Sequence, residues 1–355
     1  MRILFVEDEL EKNIPRLLRL FGKFLSEDQK EELRFLENDE YGAKAEQVKA
    51  IMERKDLFRI EYRFPDALRE IISHPDKYAL FIIDRNLSLT EYDLAEVQAI
   101  DNNFSEAQYD KFFEREGDYF LHKLIYQNID VATRLYFLTA YSFDNEIKGA
   151  DDLKNHLEFK KFGRENFIEK ANSNDIIRLR NVIENQPAFL IRHENLKYLE
   201  ILKSRISEKA SDLFWYILTT KDDERYIIDN LDKIRTLLLD NILFKIARAL
   251  NAPRECWNEK RTDQIEFGKV INWISYKDPK TNKIINQFDS NTLIYNFIKS
   301  IKSIASDFGV HIDLNDQEST NGFQPTTDTV NALVYALKDI IVWFDGALPN
   351  TPDNR

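Results

Sequence analysis

The chain has a single cysteine, Cys256, among 355 residues. That excludes an internal disulfide framework and a zinc site built from several thiolates. Histidine is nearly as scarce, with five copies and no HExxH or paired spacing, so a His/Cys transition-metal site is not expected. Glycine and proline number nine each, too few for a loop-rich or all-β architecture, which leaves room for many helices. No apolar run approaches the length that spans a bilayer. The start, MRILFVEDE, is apolar only from Ile3 to Val6 before acids follow, unlike a signal peptide. The expected location is therefore the cytoplasm, with no membrane partner.

What is present is a well-patterned globular chain. Hydrophobic residues make up 43% and charged residues 32%, a balance that supports folded cores rather than disorder. The length suits two domains. The net charge is −12. Residues 189–355 hold 22 basic and 24 acidic residues, so the first 188 carry the remaining −10. An acidic first half suits a divalent cation or a basic partner face and does not suit a phosphate-backbone binder. DNA binding is not supported: no helix-turn-helix with a basic recognition helix is evident. Arg248, Arg254, Lys260 and Arg261 form only a modest basic concentration.

Short apolar runs punctuate the first half: Ile3 to Val6, Phe58 to Tyr62, Leu80 to Ile83, Leu135 to Leu138, and Asn166 to Ile168. Three of them are apolar throughout, as parallel strands buried on both faces require. Helical spacing appears between them, in Pro65 to Ile72, Asp118 to Tyr126 and Asp175 to Ile183. Strands alternating with helices predict an α/β doubly wound, five-stranded parallel sheet over residues 1–188. Residues 10–57 and 88–116 are too long for simple crossovers and read as partly helical insertions. After Gln186-Pro187 the pattern becomes long and amphipathic. It predicts an all-α domain over 189–348, with helices from Glu194 to Leu218, Tyr226 to Leu250, Thr262 to Ile274, Ser290 to Phe308 and Thr327 to Phe344, and a frayed tail over 349–355.

In a doubly wound sheet, ligands bind beyond the carboxyl ends of the strands. At those ends stand Glu7 and Asp8 after the first strand, Asp84 after the third, Thr139 after the fourth and Lys170 after the fifth. Three carboxylates, a hydroxyl and an ammonium suit phosphoryl transfer to a carboxylate. Mg²⁺ takes oxygen ligands and needs only one or two carboxylates. Aspartate is an established phosphoryl acceptor. A lysine offers a point charge to a phosphoryl oxygen, and a threonine offers a hydroxyl donor.

ILFVEDE, LFIIDRN, LYFLTA and FIEK, in this order and at these strand ends, resemble the response-regulator receiver domains, with their flavodoxin-like fold. The likeness covers roughly residues 1–188, interrupted by the two insertions. It implies Asp84 as the phosphorylation site, with Thr139 and Lys170 completing the catalytic set. It implies an Mg²⁺ held by Asp8, Glu7, Asp84 and the backbone carbonyl of Asn86. It also implies a histidine kinase or phosphotransfer protein as partner, and a homodimer as a further candidate assembly. Phe167 stands where the family often has a signalling aromatic, although plain core packing is the simpler reading. Two departures stand out. Ala171 follows Lys170 where the family usually has proline, and the insertion from Ser88 replaces a short loop after the acceptor.

The helical half carries fewer signals. Ala332 to Phe344 is apolar on much of its circumference, loosely similar to helical bundles of the HEPN type, many of which are RNases. Their Arg–spacer–His motif is absent: Arg192 and His193 are adjacent, and neither His193 nor His311 suggests a catalytic role. Trp215, Trp257, Trp273 and Trp343 are expected in the helical core or an interface. Asp222 to Glu224 reads as a solvated helix start. Three outputs stay open: a phosphorylation-switched binding or dimerising unit, a receiver-gated effector acting on RNA, and a phosphorylation-independent scaffold. Enzymatic activity beyond the receiver's own phosphorylation and dephosphorylation is left open.

Overall fold

The computed structural model describes residues 1–38, 44–87, 91–140, 146–259, 261, 264–274, 293–309 and 324–348. The tail from 349, His311, Lys260, Thr262, Ser88 and most of the polar loop between Asp313 and Thr327 lie outside the described residues. The fold divides into two compact units, Met1–His193 and Glu194–Arg355, and the boundary falls within a helix, Pro187–Arg205.

The first unit is built on five parallel strands: β1 (Arg2–Val6), β2 (Phe58–Glu61), β3 (Tyr78–Asp84), β4 (Leu135–Thr139) and β5 (Phe167–Glu169). Their order is β2-β1-β3-β4-β5. All seven residues of β3 are buried, which explains why its sequence is apolar without alternation. The chain leaves β1 toward one side of the sheet and returns on the other as β3, so the topological switch point lies between these two strands. Their register pairs Val6 with Ile83, so Glu7 and Asp84 both come directly after this matched pair, at the same edge.

Helices cover both faces. Ile14–Phe21 packs with Ser173–Glu184, and Phe64–Ser73 with Glu116–Tyr126. The connection between β1 and β2 holds two more helices, Glu27–Glu37 and Ala45–Glu53, where extra helix is expected from sequence. Ser26 and Gln29 form a capping box at the first, and the buried Gln29 amide donates to the Ile51 carbonyl of the second at 2.7 Å. Within the 88–116 segment, Leu94–Ile100 and Glu106–Phe112 are helical. This segment is part of the core: Val97, Phe104 and Phe112 are buried, and Phe64 packs against Phe104 and Tyr92 with ring centroids 5.8 and 5.0 Å apart.

The second unit is helical. The continuous helix expected from Glu194 to Leu218 is in fact two: the first ends at Arg205, and the Ser207 hydroxyl accepts from the Ala210 N–H to cap Glu208–Thr220. Ile227–Thr236 continues through a π-helical stretch, Leu237–Leu243, into Phe244–Ala249. Ile227–Thr236, Leu293–Gly309 and Thr327–Ala347 pack together. Phe267–Ile274 is shorter than expected from Thr262. Asp223 caps a 3-10 turn at Glu224–Tyr226, consistent with the solvated start read from sequence. None of the four tryptophans is fully buried: all are intermediate, so they border the core rather than fill it. Tyr335 on the last helix is 68% exposed. Among the described residues, no helix is long and apolar enough to cross a membrane.

Candidate functional site

Five of the six residues singled out from sequence lie at one edge of the sheet, the carboxyl ends of β1, β3, β4 and β5, and Asn86 follows two residues after Asp84. Glu7, Asp8 and Asp84 are buried, and one carboxylate oxygen from each lies within 4.8 Å of the others. The Lys170 ammonium bridges two of them, Glu7 and Asp84. It donates to Glu7 Oε1 at 2.8 Å and also to Asp84 Oδ2. Arg16 Nη1 donates to Glu7 Oε2 at 3.2 Å.

Burial pushes the Glu7 carboxyl up to about 8, and the neighbouring charge of Asp84 adds to the effect against the pull of Lys170. Burial works to lower the Lys170 ammonium, but Asp84 and Glu7 outweigh it and hold the group above its ordinary value. Three carboxylates here face two cations, Lys170 and Arg16, so the cluster favours one further positive charge, a proton or a cation. An all-oxygen donor set fits a hard cation such as Mg²⁺.

Backbone bonds bring the other site residues to this edge. The Lys170 N–H donates to the Thr139 carbonyl at 2.8 Å, tying the β5 end to the β4 end. Glu169 N–H donates to Asp175, and Asn172 caps the helix Ser173–Glu184, which shapes the turn around Lys170 without a proline after it. Thr139 is half-buried at the last position of β4. The Asn86 N–H donates to Asp84 Oδ1 at 3.2 Å, so the loop curls back onto the Asp84 carboxylate. Phe167 is buried and packs against Phe137 and Phe162, as the plainer reading expects.

Four further residues brace this loop and escaped the sequence reading. Arg85 is 3% exposed and donates through Nε and Nη2 to the two oxygens of Asp118, which is 0% exposed, at 2.7 and 2.9 Å. Asp118 also accepts from the Lys148 N–H at 2.9 Å, and Arg85 donates to the Glu146 carbonyl. The Arg85 guanidinium lies over the Phe167 ring, 5.6 Å from its centre. Glu116, also fully buried, accepts from the Leu87 N–H at 3.0 Å and from the Tyr92 hydroxyl at 2.9 Å. Between these acids, Gly117 donates its N–H to the Arg85 carbonyl at 3.1 Å. A Cβ on Gly117 would meet Arg85 Cα at 2.8 Å and the Asp84 carbonyl oxygen at 3.1 Å, so only glycine allows this approach. One signal was available: an arginine placed directly after a fully buried strand needs a buried acid.

Arg192 and His193 serve structure. Arg192 pairs with Asp56 at 2.5 Å, and His193 packs edge-on against Phe24. No family model, no curated protein and no solved structure matches this chain.

Proposed function

We propose that the first unit is a phosphoacceptor receiver of the response-regulator type and that Asp84 takes the phosphoryl group. The observation that carries this reading is the Lys170 ammonium bridging Glu7 and Asp84, within three buried carboxylates at the switch point of the sheet. Such an arrangement costs desolvation energy and contributes little to stability, so it points to chemistry.

The donor is a phosphohistidine on a histidine kinase or phosphotransfer protein, or a small acyl phosphate. An Asp84 carboxylate oxygen attacks phosphorus, the bond from phosphorus to imidazole nitrogen or acyl oxygen breaks, and its electron pair leaves with that atom. Asp8, Asp84 and the Asn86 carbonyl, with Glu7 beside them, would hold Mg²⁺, which when bound supplies neutralising charge to the phosphoryl oxygens. Lys170 gives up its bond to Asp84 and pairs with a phosphoryl oxygen. Thr139 donates its hydroxyl to another. Movement of Thr139 and of the Lys170 turn, which share a backbone bond, carries the change along the β4–β5 edge. The helical unit is the output, binding a partner or a second copy of the chain according to the state of Asp84.

The test is intact mass after incubation with Mg²⁺ and acetyl phosphate, for the natural chain and for Asp84→Asn. Gain of one phosphate by the natural chain alone is expected. No gain, together with no response to beryllofluoride, would replace this reading with that of a phosphorylation-independent scaffold.

A further inference from the structure

An open cavity of about 180 Å³ lies beside the acidic cluster, between the helical segment after β1 and the helix Ser173–Glu184. Four cationic side chains line it, Lys12, Arg16, Arg19 and Lys170, together with Asn13, Pro15 and Ile176, and among the described residues no carboxylate does. This runs against composition, because the first 188 residues carry a net charge of −10. Arg16 and Lys170 are shared groups: they line this cavity and also donate to Glu7. Lys12 pairs at the surface with Glu9, at 2.7 Å. Arg19 makes no ion pair among the described residues and is not needed to balance the acidic cluster.

We propose that this cavity is an oxyanion site for a phosphate-class group, and that filling it favours divalent-cation binding at Glu7, Asp8 and Asp84. The coupling follows from the shared cations. An oxyanion offers Arg16 and Lys170 a new partner, which loosens their hold on Glu7 and Asp84, and the released carboxylates then attract a cation more strongly. By linkage, a bound cation strengthens oxyanion binding by the same factor. The volume is several times the roughly 30 Å³ of one liquid water, ample for a phosphate. The proposal deepens the receiver reading and rests on it for the role of the site: a departing phosphate or the phosphate of a small donor would be the occupant.

The experiment uses the full chain and the exposed-residue variant Lys12→Ala/Arg19→Ala, with matched thermal melts to show that both fold. Binding of radiolabelled inorganic phosphate is measured by equilibrium dialysis, with O-phosphoserine as competitor. Mg²⁺ binding is measured by calorimetry at constant ionic strength, with and without phosphate. Saturable phosphate binding is expected in the natural chain and at least ~10-fold weaker binding in the variant, the loss of one good charge-assisted contact. Phosphate should tighten Mg²⁺ binding in the natural chain and not in the variant. Competition by O-phosphoserine would identify a monoester as an accepted source, and its absence would restrict the site to the free anion. No saturable binding, equal binding by both chains, or no effect on Mg²⁺ would overturn the proposal. Acetyl phosphate labelling is scored separately. Labelling without phosphate binding removes the oxyanion site alone, and phosphate-coupled Mg²⁺ binding without labelling removes the receiver reading alone.

Discussion

Replacing Asp118 by asparagine should loosen the loop that follows Asp84 more than any surface change could. The substitution keeps the shape and removes one charge. It leaves the Arg85 guanidinium, 3% exposed, without the carboxylate that now takes two of its N–H groups at 2.7 and 2.9 Å. Breaking a buried pair from one side costs about 3–5 kcal/mol, against a total domain stability on the order of 5–15 kcal/mol. Asparagine can still accept from one donor, such as the Lys148 N–H, so the lower end, about 3 kcal/mol, is expected. Tryptophan fluorescence is the wrong assay, because all four tryptophans lie beyond residue 194, in the helical unit. Hydrogen exchange of peptides covering Tyr78 to Leu87 and Glu116 to Tyr126 reads the right region, and about 100-fold faster exchange there corresponds to the expected loss. Adding Arg85→Met to Asp118→Asn should restore part of the protection, since neither charge of this buried pair then remains. The reasoning fails if Asp118→Asn changes exchange less than about 5-fold, or if the second substitution adds a full further loss.

Three other outcomes follow from the same geometry. Gly117→Ala should cost about 1–3 kcal/mol by urea unfolding and slow acetyl phosphate labelling, because its methyl must displace the Asp84–Arg85 backbone; unchanged labelling would show that the backbone yields without harm. Lys170→Met should tighten Mg²⁺ binding measured by calorimetry while slowing labelling on the order of 100-fold, and equal rates would remove Lys170 from the chemistry. His122 is 6% exposed, its Nε2 hydrogen-bonded to the Lys148 carbonyl at 3.0 Å, and burial, with Lys111 adding to it, lowers its ring below the ordinary value. The unfolded chain therefore binds the extra proton first. Its contribution is present above about pH 6.5 and stability falls as pH drops below that value. His122→Gln should flatten this part of the urea-midpoint profile between pH 7.5 and 5, and an unaltered profile would place the dependence elsewhere.

The strands are legible in the sequence because burial on both faces leaves only apolar residues, and the strand ends stand out as the charges that follow each run: Glu7, Asp84 and, one residue after Glu169, Lys170. The bracing acids are not legible in the same way. Glu116 and Asp118 begin a helix, where acids normally favour the dipole and face water, so nothing local marks them as buried. Their partners, Leu87 and Arg85, lie about thirty residues earlier, a distance only the fold closes. In the helical unit, the break at Ser207 is visible in hindsight as a serine ahead of Glu208-Lys209-Ala210, whereas the π-helical stretch Leu237–Leu243 is as apolar as any α-helix and gives no sign. The tryptophans show the limit of residue type: large and apolar places them near a core, and packing alone decides how deep.

The segment between β3 and the helix Glu116–Tyr126 looks like an addition to a smaller fold, yet it cannot be trimmed away as one. It contributes Val97, Phe104 and Phe112 to the same core as Phe64, Tyr119 and Phe120. A chain shortened across residues 91–113 would present those three rings to solvent as a contiguous sticky surface, and its failure would come as aggregation during expression rather than as a folded but inactive protein. The length that sets this unit apart from a minimal doubly wound domain is therefore built into its solubility, and a viable short form would need polar replacements at Phe64, Tyr119 and Phe120 made at the same time.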